Sequence, residues 1–166
     1  DKVSLTKVNK ADVIKSLSAG LITFSESEAR LNIQHVLKNT AGPVLFTEGI
    51  TDEMILETAW AKLYPAEKRC FEIQNAFSCG FKRNFVKDNA LYQSHPGRTF
   101  FSLFDFDEAY NDWNQLGHDV QTDPALCLTK KRAACESYAL LLPVPAIGQV
   151  HQQVINPRTG GNYGNK

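Results

Sequence analysis

The segments Val44-Leu-Phe-Thr-Glu48-Gly49-Ile-Thr51-Asp52 and Phe100-Phe-Ser-Leu-Phe-Asp105-Phe-Asp107-Glu108-Ala109 decide the fold. Each is an apolar run that ends in carboxylates and passes directly into a stretch with helical spacing. A buried strand followed at once by an acidic turn and an amphipathic helix is how an open α/β sheet presents polar groups at its carboxyl edge. Two such edges in one short chain predict a Mg²⁺ site.

Outward from these segments, strand and helix signals alternate. Gly42-Pro43 precedes the first strand, and Thr51 is placed to cap a helix over 51–63, with Ile55, Ala59 and Leu63 on one face and Pro65 after it. The pattern then predicts a strand over 69–74, a helix over 81–92, a strand over 99–104 after His95-Pro-Gly, and a helix over 108–116 stopped by Gly117. Weaker strand signals lie at 120–128 and 139–142. This order predicts an α/β domain over 43–145, with a mostly parallel sheet covered on both faces. Residues 1–42 read as a helical segment or the end of a preceding domain. Ser25-x-x-Glu28 has capping-box form, and Ala29, Ile33, Val36 and Leu37 fall at the spacing of one buried face. Residues 146–166 read as a flexible tail or the start of a following region. The start at Asp1 and the Gly/Asn-rich end suggest a piece of a longer protein.

Composition narrows the classes. A chain of 166 residues can bury a core without staples, and 18 basic against 18 acidic residues exclude a polybasic binder. Cys70, Cys79, Cys127 and Cys135 show no C-x-x-C spacing and are expected as small core residues in a reducing compartment. No apolar run approaches the roughly 18 residues of a membrane span, and no secretory signal pattern opens the chain, so a cytoplasmic location is expected. The four histidines have no zinc-ligand spacing.

Asp105 and Asp107 are two apart, so on a continuing strand both side chains project to the same side. Mg²⁺ prefers oxygen ligands, keeps several waters, and is usually held by one or two carboxylates with substrate phosphate oxygens. The competing reading is that these aspartates only favour the start of the next helix, worth roughly 0.3 to 1 kcal/mol. Glu48 holds the equivalent place after the first strand, and Gly49 behind it permits a tight turn. Asp52 and Glu53 are first-turn acids, of which Asp52 is also a candidate ligand.

Glu-Gly-x-x-Asp after one strand and Asp-x-Asp after a later one, in that order, resemble the Toprim domain of type IA and type II topoisomerases, bacterial primases, recombination mediators and OLD-family nucleases. The resemblance covers roughly 43–145. It implies a compact Toprim-like (Rossmann-like) sheet of about four parallel strands, with Glu48 as general acid or base and Asp105 and Asp107 as Mg²⁺ ligands, Mn²⁺ substituting. Family members often carry a small residue soon after the second aspartate, whereas Glu108-Ala109-Tyr110 offers only Ala109. The segment Thr129-Lys130-Lys131-Arg132-Ala-Ala-Cys-Glu136 is similar to the stretch of OLD-like nucleases where basic residues and a further carboxylate close the site. On that resemblance Glu136 serves a metal and Lys130 or Lys131 neutralises the scissile phosphate. The alternative is a solvated basic helix end with an Arg132–Glu136 pair at i, i+4.

The resemblance implies metal-dependent hydrolysis of nucleic acid, DNA favoured, by the nuclease part of a larger ATPase-nuclease, with anti-phage defence as a common setting. Metal ions fixed by carboxylates supply an activated nucleophile, charge neutralisation and leaving-group help. Lys82, Arg83, Lys87 and Arg98 are expected to flank the groove as phosphate contacts, with Phe81 and Tyr92 more simply core. A homodimer stays open. Other readings are a non-catalytic Toprim module that binds nucleic acid or a partner, and a topoisomerase or primase domain. Phe104-Asp105-Phe-Asp107-Glu108 also resembles the haloacid-dehalogenase phosphatase motif, but it comes late in the chain and lacks Thr or Val two residues after the second aspartate.

Overall fold

The computed structural model describes residues 26–106 and 109–159. Asp107 and Glu108, and the segments before 26 and after 159, lie outside the described residues. The elements run α1 (Glu26–Asn39), β1 (Val44–Thr47), α2 (Ile50–Leu63), β2 (Glu72–Asn75), α3 (Cys79–Lys87), α4 (Asn89–Ser94) and β3 (Phe100–Phe104). They continue with α5 (Ala109–Asn114), β4 (His118–Gln121), a 3₁₀ turn (Pro124–Leu126), β5 (Thr129–Lys131), β6 (Ser137–Leu141) and α6 (Gly148–Val154).

The six strands form one sheet in the order β2-β1-β3-β6-β5-β4. β2, β1, β3 and β6 are parallel, and β5 and β4 extend the sheet antiparallel. The fold is thus α/β, but the sheet is mixed and larger than the four strands expected. The reason lies in 129–136, which is not a helix end. Its Thr129–Lys131 strand pairs with β6 across a turn in which Ala134 adopts φ 62°. Arg132 and Glu136 therefore belong to a hairpin, and Glu136 pairs with Lys131 instead.

Alternation along the central strands explains the core. Register places Val44, Phe100 and Ser137 in one row and Phe46, Ser102, Ala139 and Lys130 in the next, all buried. Phe104 and Leu141 follow, each fully buried. Each large side chain taken fully from water contributes about 1.5 to 3 kcal/mol. α1, α3 and α5 supply the rest of this core, through Ala29, Ile33 and Leu37, through Phe81 and Phe85, and through Trp113. Phe46 stacks on Phe100 with centroids 5.9 Å apart and meets Phe85 edge-on at 5.4 Å. Trp113 satisfies its indole by donating to the Ala139 carbonyl at 2.8 Å. α1, the described helix of the N-terminal segment, thus shares the core of the sheet domain.

Several local expectations change. The helix over 81–92 is two helices, because Asp88 breaks the first and caps the second by accepting from Ala90 N–H. α2 is capped from Gly49, whose N–H donates to the Asp52 carboxylate at 2.9 Å, and not by Thr51. Gly49 has φ −137°, an extended conformation open to any residue, so the expected reason for a glycine does not hold. Gly117 does need to be glycine: φ is 53°, and a Cβ would lie 2.3 Å from the Lys131 carbonyl oxygen. None of the four cysteines is fully buried, and Cys70 is exposed. Part of the expected tail is the helix α6, after which Ile155 is buried.

Candidate metal and phosphate site

β2 lies on one side of β1 and β3 on the other, so the direction of winding reverses between β1 and β3. With right-handed crossovers α2 and α3 cover opposite faces, and a crevice opens outside the carboxyl ends of β1 and β3. Glu48 is the first residue beyond β1 and Asp105 the first beyond β3, on strands paired through Phe46 and Ser102. Both residues therefore leave the sheet at the same edge, and both carboxylates act on the charge of Lys82. Both are half-buried.

Beneath them sits Lys82. Sequence reading set it on the flank of a groove; the structure buries it completely. α3 turns Phe81, Lys82, Phe85 and Val86 toward the sheet, and the lysine occupies a core position in that stripe. Its ammonium donates to the Leu103 carbonyl, lies 3.9 Å from Glu48 Oε2, and stands 4.1 Å from the centroid of the Phe104 ring. Burial pushes its pKa down to about 8, while Glu48, then Asp105 and Asp52, hold it up. The signal in the sequence was the spacing of Phe81, Lys82, Phe85 and Val86. A lysine inside a core stripe is rare without a partner.

Neighbouring acids are already engaged. Asp52 accepts from Gly49 N–H, Glu53 accepts from Asn75 Nδ2 at 2.7 Å, and Asp112 accepts from Arg83. Cys79, at the start of α3, is pushed up to about 11 by burial, with smaller contributions from a hydrogen bond to Asp112 and from the charge of Glu48. Phe77, between β2 and α3, is half-exposed and holds φ 69°, a left-handed conformation that costs a non-glycine residue energy. Nothing in its sequence context marks it.

The other expected site residues are not brought here. Glu136 precedes β6 at the amino edge of the sheet, and its backbone oxygen accepts from Phe100 N–H at the start of β3. It is removed from the expected metal set because β6 runs parallel to β3, so its entry lies at the edge opposite Asp105. Its carboxylate accepts from Lys131 Nζ at 3.0 Å and Tyr138 Oη at 2.6 Å, and these hydrogen bonds hold its pKa below the usual range. Lys130 is buried at mid-sheet, donating to the Asn114 carbonyl at 3.0 Å and pairing with Asp119 at 3.3 Å. It caps the end of α5 and does not face a phosphate at the crevice. Arg98 donates to the carbonyls of Gly42 and Leu37 and to Thr40 Oγ1, which ties α1 to the sheet at the amino edge. Arg83 is bound to Asp112 and Asn84. Lys87, alone of the four expected groove residues, is exposed and makes no such contact among the described residues. Asp107 lies outside the described residues.

Does Mg²⁺ fit these residues? Among the described residues no three His, Cys, Asp or Glu side chains group as a cage. A cage is not what Mg²⁺ uses: one or two carboxylates and several waters suffice. Glu48 and Asp105 provide oxygen donors, the donor chemistry this ion prefers. N-termini of α2 and α3 open at the same edge, where their dipoles favour anions.

Fold and edge together define a doubly wound α/β domain with an acidic switch-point crevice. Comparison with protein-family models, with curated proteins and with solved structures gives no match. Among the described residues no helix is long and apolar enough to cross a membrane.

Proposed function

We propose that the chain is a Toprim-type domain that hydrolyses nucleic-acid phosphodiester bonds with Mg²⁺, most like the nuclease part of an OLD-family ATPase-nuclease. The observation that carries this reading is the emergence of Glu48 and Asp105 at adjacent strand ends on the switch point, over a buried lysine. The order Glu-Gly-x-x-Asp then Asp-x-Asp supports it. Mg²⁺ would be held by Asp105, with Asp107 two residues on in the sequence, and would supply Lewis-acid stabilisation and a water nucleophile. Glu48, half-exposed beside it, takes the role of general acid or base. Lys82 acts from below by fixing Glu48 and the end of β3. The ATPase domain, a DNA substrate, a cytoplasmic location and a defence role extend the same reading.

The test is nicking of supercoiled plasmid by the full-length protein with Mg²⁺ or Mn²⁺. Glu48→Gln and Asp107→Asn are expected to abolish it, and full activity in either variant overturns the assignment. A second reading, a non-catalytic Toprim module that binds a protein partner without cutting, draws on the internal use of Lys82, Arg83 and Arg98, which leaves few cations for phosphates. Absence of both DNA binding and nicking in the wild type favours it.

A further inference from the structure

A cavity of about 240 Å³ lies under the gap between the C-terminal ends of α3 and α5, with Val86 and Lys87 on one side and Gln115 to Gly117 on the other. Its floor is the sheet, where Ser102, Ser137 and Ala139 face the helices. Side chains this small leave open the space that Phe46 and Phe104 fill elsewhere on the same face. Both helices begin at the carboxyl edge, so the cavity belongs to the amino-edge half of the domain and is independent of the proposed metal site.

Two observations give the cavity a ligand chemistry. Ser102 Oγ lines it, is cut off from water, and has no hydrogen-bond partner among the described residues. A buried hydroxyl in that state bears its desolvation cost unrelieved, and an acceptor oxygen inside the cavity would relieve it. The second observation is charge: Lys87, Lys130 and Arg132 line the cavity, and no described carboxylate does. Lys130 is balanced by Asp119 at 3.3 Å. Arg132 is not, since Nη1 donates to the Val86 carbonyl and Nη2 to Asn89 Oδ1, both at 2.6 Å and both neutral acceptors. Lys87 adds a second unbalanced charge at the rim. The same bonds answer the helix ends, because Arg132 takes a terminal carbonyl of α3 and Lys130 takes the Asn114 carbonyl of α5. The partial negative charge that would repel an anion there is thereby offset.

We infer that this cavity binds a small organic oxyanion, a carboxylate or a phosphate ester, with Ser102 donating from the floor and Arg132 and Lys87 supplying the charge. A guanidinium fork matches the planar or tetrahedral oxygens of such groups. The volume falls below the roughly 300 Å³ at which drug-sized sites begin, which suits a small molecule and not a nucleic-acid strand.

The experiment is a heteronuclear NMR titration of the full chain with malonate, inorganic phosphate and the neutral control malonamide, for wild type, Ser102→Ala and Arg132→Gln. Wild type is expected to bind at least one anion saturably at millimolar concentration, with amide shifts centred on Ser102, Gly117 and Ser137. The tighter of the two anions separates a carboxylate from a phosphate ligand. Ser102→Ala removes the donor and little volume, and should weaken binding about tenfold, the loss of one hydrogen bond to a charged group. Arg132→Gln should weaken it by about tenfold or more and flatten its dependence on salt. Lys87→Gln, at the exposed rim, replaces Arg132→Gln if the latter does not fold as judged by circular dichroism, with a loss of several-fold. No saturable shift with either anion overturns the inference. Equal affinity in wild type and Ser102→Ala, shifts centred elsewhere, or malonamide bound as tightly as malonate overturns it as well.

Discussion

The two edges of the parallel sheet carry similar residue types and use them oppositely. At the carboxyl edge Glu48 and Asp105 both act on a lysine stripped of water. At the amino edge Glu136 is exposed and answered by Lys131 and Tyr138, while Arg98 is spent on backbone carbonyls. Helix polarity explains the contrast. α2 and α3 begin at the carboxyl edge, where their free N–H groups favour anions, and α1 ends at the amino edge, where its free carbonyls attract the Arg98 guanidinium. A charged residue beside a strand therefore means different things according to which end it occupies.

The sharpest way to break the comparison is to neutralise one acid at each edge. Glu48→Gln should lower the nicking rate by about 10²- to 10⁴-fold, the range for a lost general acid or base, and Glu136→Gln should leave it within twofold. Equal losses at both edges in a plasmid assay would erase the distinction.

Stability separates the edges next. Lys82→Ala removes one member of a buried pair and should cost about 2 to 4 kcal/mol in urea unfolding, less than for a fully buried pair because Glu48 is one-third exposed. Arg98→Ala removes three hydrogen bonds from a charged donor and should cost about 2 to 3 kcal/mol, with metal binding unchanged.

The buried lysine also gives the carboxyl edge a pH signature. Its folded pKa of about 8 lies below the ordinary 10.5, so between these values the unfolded chain binds more protons. Stability should therefore rise with pH across that window in wild type relative to Lys82→Met, by on the order of 3 kcal/mol. Referring it to the variant cancels the opposite drift from Cys79, whose raised pKa loses stability between pH 9 and 11. A flat difference between the two proteins would show that Lys82 is not desolvated.

The smallest effect concerns mid-sheet. Ser102 Oγ is buried and has no hydrogen-bond partner among the described residues, so Ser102→Ala should leave stability unchanged or raise it by about 1 kcal/mol in thermal or urea unfolding.

Much of this was legible in one dimension. Apolar runs ending in carboxylates marked β1 and β3, and the spacing of Ala29, Ile33 and Leu37 marked the buried face of α1, because burial periodicity is a local property of the chain. Order along the sequence also placed Glu48 and Asp105 at strand ends. What could not be read was which edge each charged residue would occupy and what it would meet there. Segment 129–136 had the charge pattern of a helix end, and its Thr129–Lys131 stretch became an antiparallel strand, because the edge of β6 offered a ladder of hydrogen bonds that no local signal specifies. Lys82, Lys130 and Arg98 looked like surface cations, and tertiary structure placed each against a carboxylate or a carbonyl distant in sequence. Sequence by itself determined the elements and the acidic ends of two strands. Only the tertiary structure decided that Glu48 and Lys82 share one low-dielectric site and that Glu136 does not, since long-range pairing depends on sheet order and direction.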